Sequence, residues 1–411
     1  MCVYGKTLEE RRKELRGRVL NEIPTGIEIN DEQLLALIEE QIQQICREEY
    51  LRLEERKKLR HMVFNSIRRM DVLQDLLEDE EITEIMVNGP NHIFIEKEGC
   101  LMETNETFEH RERLEDITQQ IASSGNRIVN ESNPILDARL EDGSRVNIVV
   151  PPIAIDGPVI TIRKFPKETM TMKKLIQMGA VTEEVEEFLR KLVQAKYNIF
   201  ISGGTGAGKT TFLNILSNYI PHNERVITIE DSAELQIQNI DNLVRLEARN
   251  ANVEGKNEVT IRNLVKSALR MRPDRIIVGE IRDSAAIDLL TAMNTGHDGS
   301  ISTGHANSPA DMLSRLETLV LMGLDIPLAA IRQQIASGID LIVHLGRLRD
   351  KSRKLLEVSE VGKVVDGKIC LRTLFEFREC GEKNGKVLGK LEKTKESLQA
   401  LEKCRRAGVK V

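Results

Sequence analysis

The spacing of hydrophobic residues predicts helices in the first part of this 411-residue chain. Apolar positions in residues 1–70 recur at intervals of three and four, as on one face of a helix. The clearest run is Leu34, Leu35, Ile38, Ile42 and Ile45. Asn30 and Asp31 precede this run and are suitable residues for a helix cap. Residues 1–70 are therefore predicted to form a small helical N-terminal domain.

A different pattern, with short alternating runs and turn signals, occupies residues 71–165. Two hairpins are predicted, one around Gly89-Pro90-Asn91 and one around Asp142-Gly143. A helix is expected over residues 111–124 and a further strand over residues 159–163. This mixture predicts a separate α+β domain, which is followed by a linker at residues 166–175.

Buried strands then alternate with helices in residues 176–345, which is typical of an α/β domain with a mostly parallel sheet. The expected strands are Asn198–Ser202, Val226–Glu230, Leu243–Glu247, Arg275–Val278, Gly299–Thr303 and Leu341–Leu345. Residues 346–411 form a basic C-terminal extension in this interpretation. Alternating segments at Lys354–Val358 and Ile369–Phe377 are expected to precede a lysine-rich helical tail.

The most informative motif is the octet GGTGAGKT at residues 203–210, which fits the phosphate-binding pattern G-x-x-x-x-G-K-[ST]. A predicted strand ends just before it and an apolar-periodic helix begins at Thr211, as this chemistry requires. Glycines let backbone N–H groups turn inward around phosphate oxygens, and the helix start adds about half a positive charge. The predicted nucleotide-binding residues are Gly203, Gly204, Thr205, Gly206, Ala207, Gly208, Lys209, Thr210 and Thr211.

Two members of this motif have specific expected roles. Lys209 is predicted to contact the β- and γ-phosphates, and the hydroxyl of Thr210 is predicted to bind Mg²⁺. ATP and Mg²⁺ are therefore the expected cofactors.

Acidic residues follow two predicted strands of the same domain. Residues 230–234 read Glu-Asp-Ser-Ala-Glu, at the end of a strand where open α/β sheets bind ligands. A solvated acidic loop is the alternative interpretation for this segment. The second strand ends in Gly279-Glu280, at the place where many phosphate-loop enzymes carry an aspartate that assists Mg²⁺.

Composition narrows the class of protein. Hydrophobic residues make up 40% and charged residues 30%, as in ordinary globular proteins. The sequence has no apolar run of the ~20 residues that span a bilayer, and residues 1–20 lack an apolar signal region. A cytoplasmic location is therefore expected. The six cysteines form no C-x-x-C pair, which disfavours a zinc site or a disulfide framework.

The net charge of -6 is unevenly distributed. Residues 1–70 carry 14 Lys/Arg against 13 Asp/Glu, and residues 346–411 carry 18 against 10, which leaves -15 in between. The net negative charge of the central residues argues against a protein that wraps nucleic acid. With an aromatic content of 3%, few side chains are available to stack on bases. No nucleic-acid partner is expected.

The combined motifs resemble the secretion-superfamily ATPases of type II secretion, type IV pilus and type IV secretion systems. The shared blocks are GGTGAGKTT, ITIEDSAEL, RIIVGEIRD and STGHANS, which correspond to the family's Walker A, Asp box, Walker B and His box. EITEIMVNGP, LDARLEDGSRVNIVVPP and DGPVITIRKF look like the tight-adherence (Flp) pilus branch, the CpaF-type ATPases. The type II secretion and type IV pilus assembly enzymes of this superfamily usually carry a four-cysteine zinc insertion. Its absence from this sequence favours the tight-adherence branch or a type IV secretion relative.

This resemblance implies roles for several residues in the ATPase domain. Glu234 is the first candidate for positioning the attacking water, and Glu230 is a weaker one. Glu280 is expected to support Mg²⁺. His305 is expected to sense the γ-phosphate region or to relay strain, and His297 is a secondary candidate. A hydrogen-bonded structural role is the alternative for either histidine.

The resemblance also implies a motor that works by domain closure. Arg139, Arg145 and Arg163 of the α+β domain, which is PAS-like in this family, are expected to reach the nucleotide bound to the RecA-like ATPase domain. The chain is then expected to form a homo-oligomer, a hexamer, and to act on an inner-membrane platform protein at the cytoplasmic face, powering Flp pilus assembly or secretion. The linker would be the hinge.

Three alternatives remain open from the sequence. The first is a nucleotide-dependent scaffold or regulator with little turnover. The second is a type IV secretion ATPase. The third is a nucleic-acid motor, because RecA-like cores also move DNA.

Overall fold

The computed structural model describes residues 6–23, 29–97, 99–125, 127–165, 170–249, 251 and 256–411. The chain divides into two compact units, Met1–Lys167 and Glu168–Val411. Among the described residues, no helix is both long enough and apolar enough to cross a membrane.

The first unit combines helices with an antiparallel sheet. Its helices are α1 (Leu8–Glu22), α2 (Asp31–Glu48), α3 (Leu53–Arg68), α4 (Val72–Glu78) and α5 (Arg111–Ser124). Its strands are β1 (Ile82–Asn88), β2 (Ile93–Lys97), β3 (Cys100–Glu103), β4 (Ile135–Arg139), β5 (Arg145–Val149) and β6 (Val159–Arg163).

Helices α1 to α3 pack around an apolar cluster of their own, which contains the predicted residues Leu34, Ile38, Ile42 and Ile45. Leu35 of the same predicted run is 37% exposed and lies outside that cluster. The side chain of Asn30 accepts a hydrogen bond from the Gln33 backbone N–H, so the expected cap of α2 is confirmed.

The sheet of the first unit has the strand order β3-β2-β1-β6-β5-β4. Both predicted hairpins are present, as the antiparallel pairs β1–β2 and β4–β5. The expected helix over residues 111–124 and strand over residues 159–163 are also present, as α5 and β6. Strand β3 was not predicted, since its four residues are all exposed and carry no alternating pattern.

The second unit is an α/β fold. Its helices are α6 (Met172–Gln177), α7 (Glu183–Gln194), α8 (Lys209–Ser217), α9 (Ile261–Ala268), α10 (Ala285–Asn294), α11 (Pro309–Leu321), α12 (Leu328–Gly338) and α13 (Glu402–Ala407). Its strands are β7 (Ile199–Gly203), β8 (Arg225–Glu230), β9 (Asn242–Glu247), β10 (Arg275–Val278), β11 (Ile301–His305), β12 (Leu341–Arg347), β13 (Arg353–Val365), β14 (Lys368–Lys383) and β15 (Lys386–Lys393).

These nine strands form one sheet in the order β15-β14-β13-β12-β7-β11-β10-β8-β9. The strands from β12 to β9 run parallel to one another, as the sequence predicted. Successive residues of β7 pack into different cores, since Ile199 and Ile201 join one apolar cluster and Phe200 joins the other. The sheet is therefore buried on both faces, and ligands reach it at its ends.

The C-terminal residues continue this sheet. The predicted boundary at residue 345 falls inside β12, and β13, β14 and β15 add antiparallel strands beyond it. The expectation of a lysine-rich helical tail was wrong for residues 386–393, which pair with β14 as strand β15. The only helix described after β15 in residues 394–411 is α13. Its Cys404 lies in the same apolar cluster as Phe375 of β14.

The predicted linker can be described only in part. Residues 166–169 lie outside the described residues, and α6 overlaps the other end of the segment.

Candidate functional site

The GGTGAGKT segment forms a loop between β7 and α8 at the carboxyl edge of the parallel strands. Gly203 leaves no room for a side chain, because a Cβ there would lie 2.4 Å from the Leu345 carbonyl oxygen. Gly206 and Gly208 have φ angles of +70° and +91°, a left-handed conformation that other residues rarely adopt. Residues 204–206 are exposed to solvent. The glycines therefore shape an open loop whose backbone can approach a ligand.

Lys209 begins α8 and is buried beneath this loop. Its Nζ donates a hydrogen bond to the Gly204 carbonyl at 3.0 Å and lies 3.1 Å from Nδ1 of His305. His305 ends β11, the strand beside β7, and its register partner is Gly203. The ammonium group predicted to bind phosphate is thus held between the loop and the neighbouring strand.

The contacts of His305 assign its tautomer. A lysine ammonium can only donate hydrogen bonds, so Nδ1 must be the acceptor and the proton must reside on Nε2. Nε2 lies 3.0 Å from Oε1 of Glu280. Burial lowers the pKa of His305 and outweighs the opposing charge of Glu280, which agrees with a neutral imidazole. His305 therefore lies between Lys209 and Glu280, and its close contact with Oε1 of Glu280 lacks hydrogen-bond geometry.

Glu280 follows β10 and also receives a guanidinium. Arg282 donates to Oε2 of Glu280 at 2.7 Å, and a second nitrogen of Arg282 lies 3.6 Å from a carboxylate oxygen of Asp231. Burial alone would raise the pKa of Glu280, but the charges of Arg282 and Lys209 hold it below its ordinary value. Glu280 is therefore ionised at neutral pH. The role of Arg282 was missed from the sequence, although it stands two residues after Glu280 in the same block.

Glu230 ends β8 and is buried at 3% exposure. Its Oε1 accepts hydrogen bonds from the backbone N–H groups of Glu234 and Leu235, at 2.9 and 3.0 Å. Gly279 packs against its side chain, since a Cβ at Gly279 would lie 3.0 Å from Cγ of Glu230. Burial raises the pKa of Glu230 to about 7. This residue therefore holds the loop that carries Glu234.

The residues expected to hold Mg²⁺ present oxygen atoms. Thr210 is half-buried in the first turn of α8, and Glu280 is ionised at the end of β10. A hydroxyl and a carboxylate are the hard oxygen ligands that Mg²⁺ prefers, so this donor set fits the ion. Thr211, also in the first turn, is exposed, and Glu234 is half-buried.

The two remaining histidines near these strands differ in position. His297 lies before β11, at the opposite end of that strand from His305, so the structure removes it from the site. His344 of β12 is buried, and its Nδ1 lies 2.8 Å from the hydroxyl of Ser202, beneath the loop. The Ser202–His344 pair was not anticipated, because it depends on β12 lying beside β7.

The three predicted arginines of the first unit form a row across its sheet. Arg139 pairs in register with Arg145, and Arg145 pairs with Arg163. Side chains of directly paired residues share one face of a sheet, so β4, β5 and β6 present three guanidinium groups side by side.

A phosphate-binding loop at the carboxyl edge of a parallel sheet, with acidic residues and a histidine at the ends of adjacent strands, defines a P-loop protein of RecA-like architecture. The sequence matches the family Type II/IV secretion system protein over residues 68–405, so the chain belongs to that family.

Relatives and solved structures agree with this assignment. A putative conjugal transfer protein of Mycobacterium tuberculosis is 35% identical over 295 residues, covering 70% of this chain and 83% of the relative. The type IV secretion system protein VirB11 of Brucella suis is 32% identical over 306 residues, covering 67% and 84%. The crystal structure of the pilus retraction motor PilT with bound ADP is similar in fold, with a TM-score of 0.51, 17% identity and coverage of 82% and 87%.

Proposed function

We propose that this chain is a Mg²⁺-dependent ATPase that works as the motor of a secretion system. The observation that carries the proposal is the position of Lys209, which is buried at the start of α8 and contacts both the phosphate loop and His305. Backbone N–H groups, a helix N-terminus and one ammonium together provide the positive potential that a triphosphate needs.

The residues around the loop have distinct roles in this proposal. Lys209 binds the β- and γ-phosphates, while Thr210 and Glu280 would hold Mg²⁺, which neutralises phosphate charge when bound. Glu234 positions the attacking water. Glu230 supports that step by fixing the backbone of the Glu234 loop. His305, in contact with Lys209 and Glu280, responds to the occupant of the γ-phosphate position.

The secretion system is best identified as type IV. Conjugal transfer and type IV secretion proteins share about a third of their residues with this chain over most of their length, which favours a type IV secretion motor. A tight-adherence pilus motor of the CpaF type is the second candidate, supported by the blocks EITEIMVNGP and DGPVITIRKF.

Activity is proposed to require assembly and domain closure. The row of Arg139, Arg145 and Arg163 supplies three positive charges on one sheet face, a fitting partner for a polyphosphate. Closure of the first unit on the second would bring this row to the nucleotide, with residues 166–175 as the hinge. We infer a ring of six copies that acts on an inner-membrane platform protein from the cytoplasmic side.

Lys209→Ala tests the proposed hydrolysis. The purified full chain should release phosphate from Mg-ATP, and the variant should lose this activity. Lys191→Ala is the matched control, because Lys191 lies on α7 and pairs with Glu187 away from the loop. Equal hydrolysis by wild type and Lys209→Ala would contradict the assignment of the loop.

Two further measurements separate the alternatives. Specific activity that rises steeply with protein concentration would support assembly of the active form. Stable binding of ATP without phosphate release at any concentration would instead indicate a nucleotide-dependent scaffold. Stimulation of hydrolysis by DNA would favour a nucleic-acid motor, which the acidic centre of the chain disfavours.

A further inference from the structure

The hairpin formed by β12 and β13 extends beside the phosphate loop within the same unit. Leu345 of β12 pairs with Gly203, so the strand reaches the level of the loop and continues past it. Strand β13 then returns, and Arg347 of β12 is the register partner of Arg353 of β13. Two exposed arginines therefore stand next to residues 203–208.

Arg353 contacts the loop directly. Its Nε donates a hydrogen bond of 2.8 Å to the carbonyl oxygen of Gly206. Its Cδ also packs beside Gly208, 3.7 Å from where a Cβ would stand. The guanidinium thus holds the Gly206–Ala207 peptide from outside the loop, and both NH₂ groups of Arg353 remain available as donors.

The orientation of that peptide decides where its N–H points. The Gly206–Ala207 bond is trans, so its carbonyl and its N–H point in opposite directions. The Ala207 N–H donates a hydrogen bond of 3.3 Å to the Gly204 carbonyl oxygen, which also accepts the hydrogen bond from Lys209. Arg353 therefore holds the carbonyl on one side of this peptide, while the N–H on the other side bonds to the same carbonyl oxygen as Lys209.

Arg347 adds a second charge at the same place. Its guanidinium nitrogen is 4.0 Å from the Cβ position of Gly206, and no carboxylate among the described residues pairs with it. Like charges directly opposite on paired strands are destabilising, so an anion bound beside Arg347 and Arg353 would relieve their repulsion. Arg349 in the same turn differs, because its guanidinium is paired with Glu379 and Glu382.

We propose that Arg353 is a positioning residue for the phosphate loop and that Arg347 and Arg353 together increase affinity for the polyphosphate of a nucleotide bound there. This inference rests on the proposed nucleotide binding at the same loop. It assigns to the β12–β13 hairpin a role in the unit that carries the loop, independent of the arginine row in the first unit.

Calorimetric titration of the full chain with ADP tests the proposal. Arg353→Met removes the charge-assisted hydrogen bond to Gly206 and should weaken ADP binding by about tenfold. Arg353→Lys keeps the charge and one donor and should recover part of that loss. Arg347→Met should weaken binding by about threefold at low salt and by less at high salt, because the exposed charge is screened.

Arg349→Met is the matched control, since it removes the same charge from the same hairpin without touching the loop. An equal loss of affinity in Arg349→Met, or ADP binding by Arg353→Met within twofold of wild type, would overturn the proposal. Thermal unfolding without ADP should be the same for Arg353→Met and Arg353→Lys, which separates loop positioning from loss of fold. Failure of the wild type to bind ADP would instead defeat the proposed function.

Discussion

Substituting Glu230 by glutamine should change how the stability of the protein depends on pH. Glu230 is 3% exposed at the end of β8, with Oε1 bonded to two backbone N–H groups. Glutamine has nearly the same shape, and its side-chain carbonyl can accept the same two hydrogen bonds. The substitution therefore removes the titration of this group and keeps its role in the Glu234 loop.

The direction in which stability changes with pH follows from the raised pKa of Glu230. Burial raises the pKa of Glu230 to about 7 in the folded protein, whereas its ordinary value is 4.5. Between these values the folded state binds a proton that the unfolded state has released, so stability falls as pH rises through this window. The whole separation corresponds to about 3 kcal/mol, since the folded value already includes the two backbone hydrogen bonds that favour the charged form.

Urea unfolding followed by circular dichroism, with EDTA present, provides the assay between pH 5 and pH 8. The difference in unfolding free energy between Glu230→Gln and wild type reports the titration of Glu230 alone, because the other titrating groups contribute equally in both proteins. The variant should gain stability relative to wild type as pH rises, by about 1–3 kcal/mol over the range. A difference that stays constant with pH would refute the argument that Glu230 is buried with a raised pKa.

Four further outcomes are expected. Gly279→Ala places a Cβ 3.0 Å from Cγ of Glu230 and should cost about 1–3 kcal/mol in urea unfolding, whereas Gly17→Ala, exposed in α1 with no atom within 4 Å, should stabilise by up to about 1 kcal/mol. Glu234→Gln should keep ATP binding in calorimetry and lose phosphate release; normal turnover would remove Glu234 as the residue that positions water. Burial lowers the pKa of His305 from its ordinary 6.5, so activity that needs the neutral imidazole should fall as pH drops, with a midpoint below 6.5, and His305→Gln should remove this dependence. Lys403→Met leaves Asp298 and the half-buried Asp340 without their shared ammonium and should hasten proteolysis of residues 394–411, whereas Arg406→Met should not.

Much of the fold could be predicted because its elements carry strong local signals. Gly89-Pro90-Asn91 and Asp142-Gly143 mark turns between alternating runs, and both hairpins form where expected. The parallel strands are continuous apolar runs between helices, which is the pattern of a sheet buried on both faces. The boundaries of the strands were accordingly close to those observed.

The tail was predicted wrongly because its pattern fits two structures. Val387 and Leu391 are four residues apart, a spacing that places them on one face of a helix and also on one face of a strand. Lys386, Lys390 and Lys393 favour a helix by propensity. Gly389 fits the strand pairing, because a Cβ at this position would lie 2.3 Å from the ring of Phe377 on β14. That contact depends on pairing with β14, which local sequence does not encode.

The candidate site was likewise predictable only in part from the sequence. The phosphate-loop motif locates Lys209 and Thr210 directly, since both follow the glycines in the chain. The contact between Lys209 and His305 spans 96 residues and exists because β11 lies beside β7. The contact between Arg353 and Gly206 spans 147 residues and depends likewise on β12 lying on the other side of β7. Strand order, which the sequence pattern left open, therefore determines which side chains surround the loop.

The same strand order gives the site a route by which an occupant of the loop can affect residues beyond it. His305 stands at the end of β11, between Lys209 after β7 and Glu280 after β10. Arg282 connects Glu280 to Asp231, which begins the loop that leads to Glu234. A phosphate that draws Lys209 away leaves Nδ1 of His305 without that donor and changes the balance of charge at Glu280. We therefore expect the loop after β8 to respond to phosphate at Lys209, through contacts between polar and charged groups at the ends of four neighbouring strands, β7, β11, β10 and β8.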